Sequence, residues 1–305
     1  MKTIKALGLA IALSASLIAS PAVSPASAAG DPAAGHFEYE RQKWSFGGFF
    51  GKYDKAQLQR GFQVYKEVCA NCHGLKRVNF RNLVQPGGPE FPEDAVKALA
   101  ASWPNKPLAE PNDDGKTVDK KGNLLERTAI LADPILGPYR NDKEARAAQN
   151  GALPPDLSVI ASARNLHNSG FWPYHVGKMA RDIAIAYQEG GPDYLYNLLV
   201  NYGEAPAHVK MAEGMSYNPA FPGSQIAMVP PLSKENFIAY KDAKGQPAGG
   251  SLQENARDVS AFLTWAADPT LSQRKAMGWQ VLLYLCITSL LLYIGKKRVW
   301  NSVPH

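Results

Sequence analysis

Apolar side chains stand three and four positions apart at Leu58, Phe62, Tyr65 and Val68, the spacing of one face of an α-helix, and Asp54 occupies an N-cap position ahead of them. The same period returns at Val259, Phe262, Leu263 and Ala266, behind Ser251-x-x-Glu254, a capping-box signature. Shorter helices are predicted over 95–101, 143–149, 178–188 and 193–202, the last three ending at glycine or asparagine stops. Strand-like alternation is scarce. Long Pro- and Gly-rich stretches separate the helices at 85–92, 104–122, 205–231 and 241–250, and loops of that length usually wrap or bind something. There is no internal repeat. The pattern predicts a mainly α domain with long wrapping loops.

The two ends carry a different pattern. Lys2 and Lys5 precede an apolar run over 6–19, followed by Pro21, Pro25 and Ala26-Ser27-Ala28. This is the layout of a secretory signal peptide, and its apolar run is too short to span a bilayer. Near the other end, 276–295 is 20 residues without a charge, the length a helix needs to cross the hydrocarbon core. Trp279, Tyr284 and Tyr293 suit positions at or near the interfaces, and Lys296-Lys297-Arg298 forms a basic stop. The expected division is a signal peptide at 1–28, an exported domain at 29–273, a transmembrane anchor with its stop at 274–298, and a cytoplasmic tail at 299–305.

Charge then changes the choice of partner. The chain is +6 overall, which by itself would admit nucleic acid. Seven of the basic residues (Lys2, Lys5, Arg274, Lys275, Lys296, Lys297 and Arg298) lie at the ends, leaving 26 basic against 27 acidic residues in the body. The basic excess belongs to export and anchoring, with the lipid bilayer as partner, and no nucleic acid is expected.

Candidate chemistry centres on Cys69-Ala70-Asn71-Cys72-His73. Cys286 lies in the apolar segment, away from the other two cysteines. A thioredoxin-like pair would need a strand before it, whereas the residues leading in have helical period. A zinc site would need a second ligand pair, and the chain has no other Cys pair. Covalent attachment of one haem c remains, with the two thiols on the vinyl groups and the His73 imidazole on iron. On a continuous helix all three side chains would share a face. A second axial ligand could come from Met179, Met211, Met215 or Met228, or from His167, His175 or His208. Two prolines stiffen the backbone just after Met228, but periodicity does not choose among these residues.

Longer segments resemble the cytochrome c1 family, the haem subunits of ubiquinol–cytochrome c oxidoreductase in its bacterial form. They are Arg60 to Val68 leading into the Cys motif, Gly151-Ala152-Leu153-Pro154-Pro155-Asp156-Leu157-Ser158, and Asn218-Pro219-Ala220-Phe221-Pro222-Gly223-Ser224-Gln225-Ile226-Ala227-Met228-Val229-Pro230-Pro231, with the anchor beyond them. The resemblance implies a cytochrome c-like haem domain with Met228 as sixth ligand and Arg164 paired to a haem propionate. Pro155, Tyr194 and Phe221 would then pack around the haem. It also implies a single-pass protein of the cell inner membrane with its haem domain on the periplasmic side. Its partners would be a cytochrome b subunit, a Rieske iron–sulfur protein and a soluble cytochrome c, and it would be part of an enzyme without substrate catalysis of its own. Glu90, Glu93, Asp94, Glu110, Asp113 and Asp114 could offer that cytochrome c an acidic face, although Lys116, Lys120 and Lys121 lie nearby. Outside such a complex, a tethered haem shuttle, or a sensor or enzyme with an open iron position, would use the same motif. The stretch 165–191, with Phe171, Trp172 and Tyr174, has no assigned role.

Overall fold

The computed structural model describes residues 37–109, 117–118, 122–166, 172–185, 187–233, 237–241 and 249–301; the expected signal segment lies outside them. Eight helices are found among these residues. The first, α1 (Lys55–Glu67), starts at Asp54, whose side chain accepts from the Gln57 amide at 3.1 Å. It is followed by α2 (Glu93–Ser102), α3 (Asp142–Ala148), the single turn α4 (Ile160–Ala163) and α5 (Trp172–Ala184). Then come α6 (Gly190–Val200), α7 (Leu252–Ala267) and α8 (Leu271–Trp300). Two small antiparallel pairs complete the order: β1 (Leu75–Asn79) with β2 (Pro134–Ile135), and β3 (Ser216–Tyr217) with β4 (Gln225–Ile226). The expectation of a mainly α fold with few strands holds. The helix expected over 178–188 forms earlier, at α5, and α4 is a turn that periodicity is too short to reveal.

Helix α7 is the centre. Its capping box forms on both arms, Glu254 N donating to Ser251 Oγ (3.2 Å) and Ser251 N to Glu254 Oε2 (2.9 Å). It is buried nearly all round, and α1, α4 and α6 all pack against it. Against α1 the approach is close enough that a Cβ on Gly61 would stand 2.1 Å from the Asp258 carbonyl oxygen. Beside this crossing Arg60 Nε donates to buried Asp258 at 2.7 Å. One turn on, Phe262 meets both Phe62 (5.5 Å) and Tyr65 (5.8 Å), and its other neighbour is Trp265 (5.6 Å). These rings form the heart of the hydrophobic core.

The segment ahead of α1 is tied along α6. Gln42 N and Trp44 Nε1 both donate to Asp193 Oδ1 (2.9 and 2.8 Å), and Asn197 exchanges two hydrogen bonds with the Glu40 backbone (3.0 and 2.8 Å). Helix α8 is 30 residues long, exposed along its length, and apolar enough to cross a membrane. It begins five residues before the uncharged run, because Leu271 still packs on the core.

The α1–α7 crossing generates a stability test. An alanine at position 61 would gain roughly 1 kcal/mol of helix propensity. Its methyl would meet a backbone carbonyl that cannot swing away, so the net change expected for Gly61→Ala is a loss of roughly 1–3 kcal/mol. Thermal unfolding of the solubilised full chain checks it, and an unchanged or raised midpoint would contradict the packing described here.

Candidate functional site

The site begins where α1 ends. The continuous helix expected through His73 does not form: α1 stops at Glu67, and Cys69–Asn71 is a 3-10 turn. Asn71 ends the helix by turning its side-chain amide back onto the Glu67 carbonyl (3.1 Å), a local bond that competes with helical continuation. Residues three apart eclipse one another in a 3-10 turn, so Cys69 and Cys72 still leave on one side. The amides of Cys72 and His73 both donate to the Cys69 carbonyl (3.1 and 2.9 Å), which closes the turn.

Both cysteines are unpaired and half-buried. Burial, with Cys72 adding to it, pushes the Cys69 thiol up to about 12, the reverse of the activated thiolate a thiol-redox pair requires. Among the described residues no set of three or more His, Cys, Asp and Glu side chains gathers for a metal ion.

The His73 ring is held from one side. Its Nδ1 lies 2.7 Å from the Pro155 carbonyl oxygen. A carbonyl can only accept, so Nδ1 carries the proton and Nε2 is left with its lone pair. Burial lowers the His73 pKa and so favours the neutral ring, opposed by the Pro155 bond and by Asp156. A neutral imidazole fixed through its other nitrogen is the arrangement of a metal-ligating histidine. Pro155 thus holds the ring through its backbone carbonyl.

The Pro155 carbonyl is set by a network absent from the sequence reading. Leu157 N donates to Gly74 O (2.9 Å), Lys76 N to Asp156 Oδ2 (2.9 Å), Arg77 N to Ser158 Oγ (3.0 Å), and Ser158 N to Asp156 Oδ1 (3.0 Å). Tyr65 Oη donates to the His73 carbonyl at 3.1 Å. Gly74 and Gly137 touch backbone to backbone, a Cβ on either standing 2.7 Å from the other's amide nitrogen. The Asp156-x-Ser158 turn had a sequence signal in its residue types. Tyr65 lay hidden in an apolar stripe.

Met228 comes from the loop after β4. Among the methionines named as alternatives, Met179 and Met215 are exposed and Met211 is half-buried; Met228 is half-buried too and is the one of the four that packs against the core among the described residues. His208 is exposed, while His167 and the His175 side chain lie outside the described residues. The Met228 loop is tied to α6: Tyr202 Oη donates to the Met228 carbonyl (3.2 Å), and buried Asn218 donates from Nδ2 to the Leu198 carbonyl (2.7 Å). The bend within 218–224 closes through Asn218 N to Ser224 O (3.0 Å), with Gly223 and Ser224 at φ +83° and +56°. Phe221 sits on this bend and packs against the same core as Met228 and Cys69.

Tyr194 is buried on α6, and burial pushes its phenol up to about 12, against the pull of nearby Arg164. Arg164 follows α4, is exposed, and makes no ion pair among the described residues; there its Nη1 donates to the Ala163 carbonyl at 3.5 Å. The structure therefore gathers Cys69, Cys72, His73 and Pro155 in one cluster and sets Arg164 near Tyr194, while Met228 and Phe221 each pack against the hydrophobic core. The donor set fits a covalently held haem: two free thiols on one side of a turn, and a neutral imidazole with one nitrogen already bonded.

Three of the six acids expected to form an acidic face lie among the described residues, each beside a lysine. Glu90 pairs with Lys55 (3.2 Å), and Lys97 takes both Glu93 (2.8 Å) and Asp94 (3.7 Å). Glu110, Asp113 and Asp114 lie outside the described residues.

Comparison with known proteins agrees with this arrangement. The chain is 43% identical over 262 residues to cytochrome c1 of Blastochloris viridis, covering 86% of each chain. It is 37% identical over 289 residues to cytochrome c1 of Rhodospirillum rubrum, covering 89% of this chain and 90% of that one. It is also 43% identical over 259 residues to cytochrome b/c1 of Bradyrhizobium diazoefficiens, covering 85% of this chain and 35% of that longer one. The cytochrome C1 family model matches residues 44–303, from the segment before α1 to the end of α8, and the chain belongs to that family.

Proposed function

We propose that this chain is the membrane-anchored, one-haem electron-transfer subunit of a quinol–cytochrome c oxidoreductase, the cytochrome bc1 complex. It takes electrons from a Rieske iron–sulfur protein and passes them to a soluble cytochrome c. Its part in an enzyme comes through membership of the complex, with no substrate catalysis by this chain alone. The observation that carries the proposal is the His73 ring, fixed through Nδ1 to Pro155 and preceded by two free thiols on one turn. The relative named cytochrome b/c1 supports a cytochrome b subunit as partner. Helix α8 supports a single membrane pass, and the signal segment supports a periplasmic haem domain on the inner membrane.

The haem c supplies a one-electron couple when bound. Cys69 and Cys72 are the thiols that would hold it covalently, and His73 through Nε2 and Met228 through Sδ are the residues that would ligate its iron. The Pro155 carbonyl keeps the imidazole oriented while burial favours its neutral form, and the Tyr202 and Asn218 bonds hold the Met228 loop in place. Arg164 offers a planar donor fork to a propionate. Phe221 and Tyr194 keep water from the site by packing on the core.

Three outcomes are expected. The reduced wild-type spectrum is unchanged by carbon monoxide, whereas Met228→Leu binds it and shows a lower reduction potential, because the thioether that favours the reduced iron is gone. Carbon monoxide binding to the wild type would instead mean an open iron. The double variant Cys69→Ala/Cys72→Ala gives up its haem to acidified organic solvent, while the wild type keeps it. Finally, transfer to a basic cytochrome c slows severalfold from low to physiological ionic strength. With Glu90, Glu93 and Asp94 already paired, neutralising any one of them has a smaller effect than salt.

A further inference from the structure

Residues 45–52 form a closed loop with two aromatic side chains at its tip. Lys52 N donates to the Ser45 carbonyl at 3.0 Å, and Gly47 N to the Trp44 carbonyl at 3.1 Å. The waist admits no side chain at position 51, where a Cβ would stand 2.2 Å from Gly47 O, and Gly48 turns through φ +66°. Below the waist Trp44 and Phe46 are buried and stacked at 5.3 Å; above it Phe49 and Phe50 are 64% and 68% exposed. Apolar rings gain from leaving water, so two adjacent rings left largely exposed call for a covering surface.

The loop is fastened to the first turns of α8. Lys275 Nζ donates to the carbonyls of Phe46 and Gly48, both at 2.6 Å, and Tyr53 N donates to Ser272 Oγ at 3.1 Å. The Phe50 ring stands edge-on to Trp279, 5.7 Å between centroids. Trp279 is three residues into the uncharged run that starts at Ala276, about 4.5 Å along the helix axis. The loop tip therefore shares the level at which α8 enters the apolar layer. From Arg41 to Tyr53 there is no acidic residue; Lys52 is exposed at the end of the loop and Lys43 just before it, and the one carboxylate against the loop among the described residues, that of Glu189 beside Gly47, is buried. An apolar, aromatic tip with a basic rim, continuous with the bare surface of a spanning helix, is matched by anionic phospholipid headgroups above acyl chains.

We infer that the Phe49–Phe50 loop is a second membrane contact, inserting both rings into the outer leaflet beside α8 and setting the angle at which the domain stands on the bilayer. The inference rests on reading α8 as the transmembrane anchor. A single spanning helix is free to tilt and rotate in the bilayer together with the domain it carries; a second contact beside it removes that freedom.

The test replaces Phe49, Phe50, Tyr284 or Lys97, one at a time, with the photo-crosslinker p-benzoylphenylalanine in the full-length chain. Each variant is placed in nanodiscs of phosphatidylcholine with a minority of phosphatidylglycerol and, separately, in native membranes with its partners. Lipid adducts at positions 49 and 50, in yield comparable with 284 and with none at 97, are the expected result in both settings. Lipid adducts at 284 with none at 49 or 50 would overturn the loop contact and leave the anchor standing. Adducts of 49 or 50 to another polypeptide in native membranes would assign the tip to a protein partner and also overturn it. A lack of lipid adducts at 284 in nanodiscs would remove the anchor reading itself, and this inference with it.

Discussion

The close crossing of α1 and α7 is the constraint on which the rest of the molecule depends. Gly61 lets the two backbones approach until the Asp258 carbonyl lies where a side chain would begin, and the Arg60–Asp258 pair sits beside that contact. Asp258 is buried, so its charge is tolerable because a guanidinium meets it with two donors. Once the crossing is set, the rings of Phe62, Tyr65 and Phe262 interlock, and the end of α1 has one position available to it. The cysteine turn begins two residues beyond that end, so its placement follows directly from helix packing.

The long loops reach the same place by another route. The segment around Pro155 has no helix of its own to fix it, and it is held instead by backbone bonds to Gly74, Lys76 and Arg77. The Met228 loop is carried by α6, through Leu198 and Tyr202, and α6 packs on α7. The proposed ligands to iron, His73 and Met228, thus come from parts of the chain far apart in sequence, and each is referred back to one helix. An electron carrier would benefit from this, because little reorganisation would accompany a change of charge with both proposed ligands tied to a rigid core.

Polar groups near the site are used mostly through the backbone. The Pro155 and His73 carbonyls each receive one specific donor, and the carbonyls of Leu198 and Met228 hold the second loop in the same manner. This economy leaves the Arg164 guanidinium as the charged group without a carboxylate partner near Tyr194 among the described residues. Farther out, the exposed acids are partly answered by their own lysines, which shifts the weight of any docking from single ion pairs to the field of the whole face.

What could be read from the chain alone was whatever depends on neighbours a few residues away. The Asp54 cap, the Ser251–Glu254 capping box, the apolar stripes of α1 and α7 and the uncharged length of α8 all belong to this class, since helical bonds and side-chain contacts reach three or four positions. The Cys-x-x-Cys-His spacing belongs to it too, although the turn proved to be 3-10 rather than α because the Asn71 side chain competes for the Glu67 carbonyl. Tertiary structure alone decided that the carbonyl of Pro155 would meet His73, 82 positions away, that Tyr202 would hold Met228, and that Gly61 would lie against Asp258. Every residue carries the same carbonyl, so nothing in its side chain announces which one a folded path will bring to a ring nitrogen.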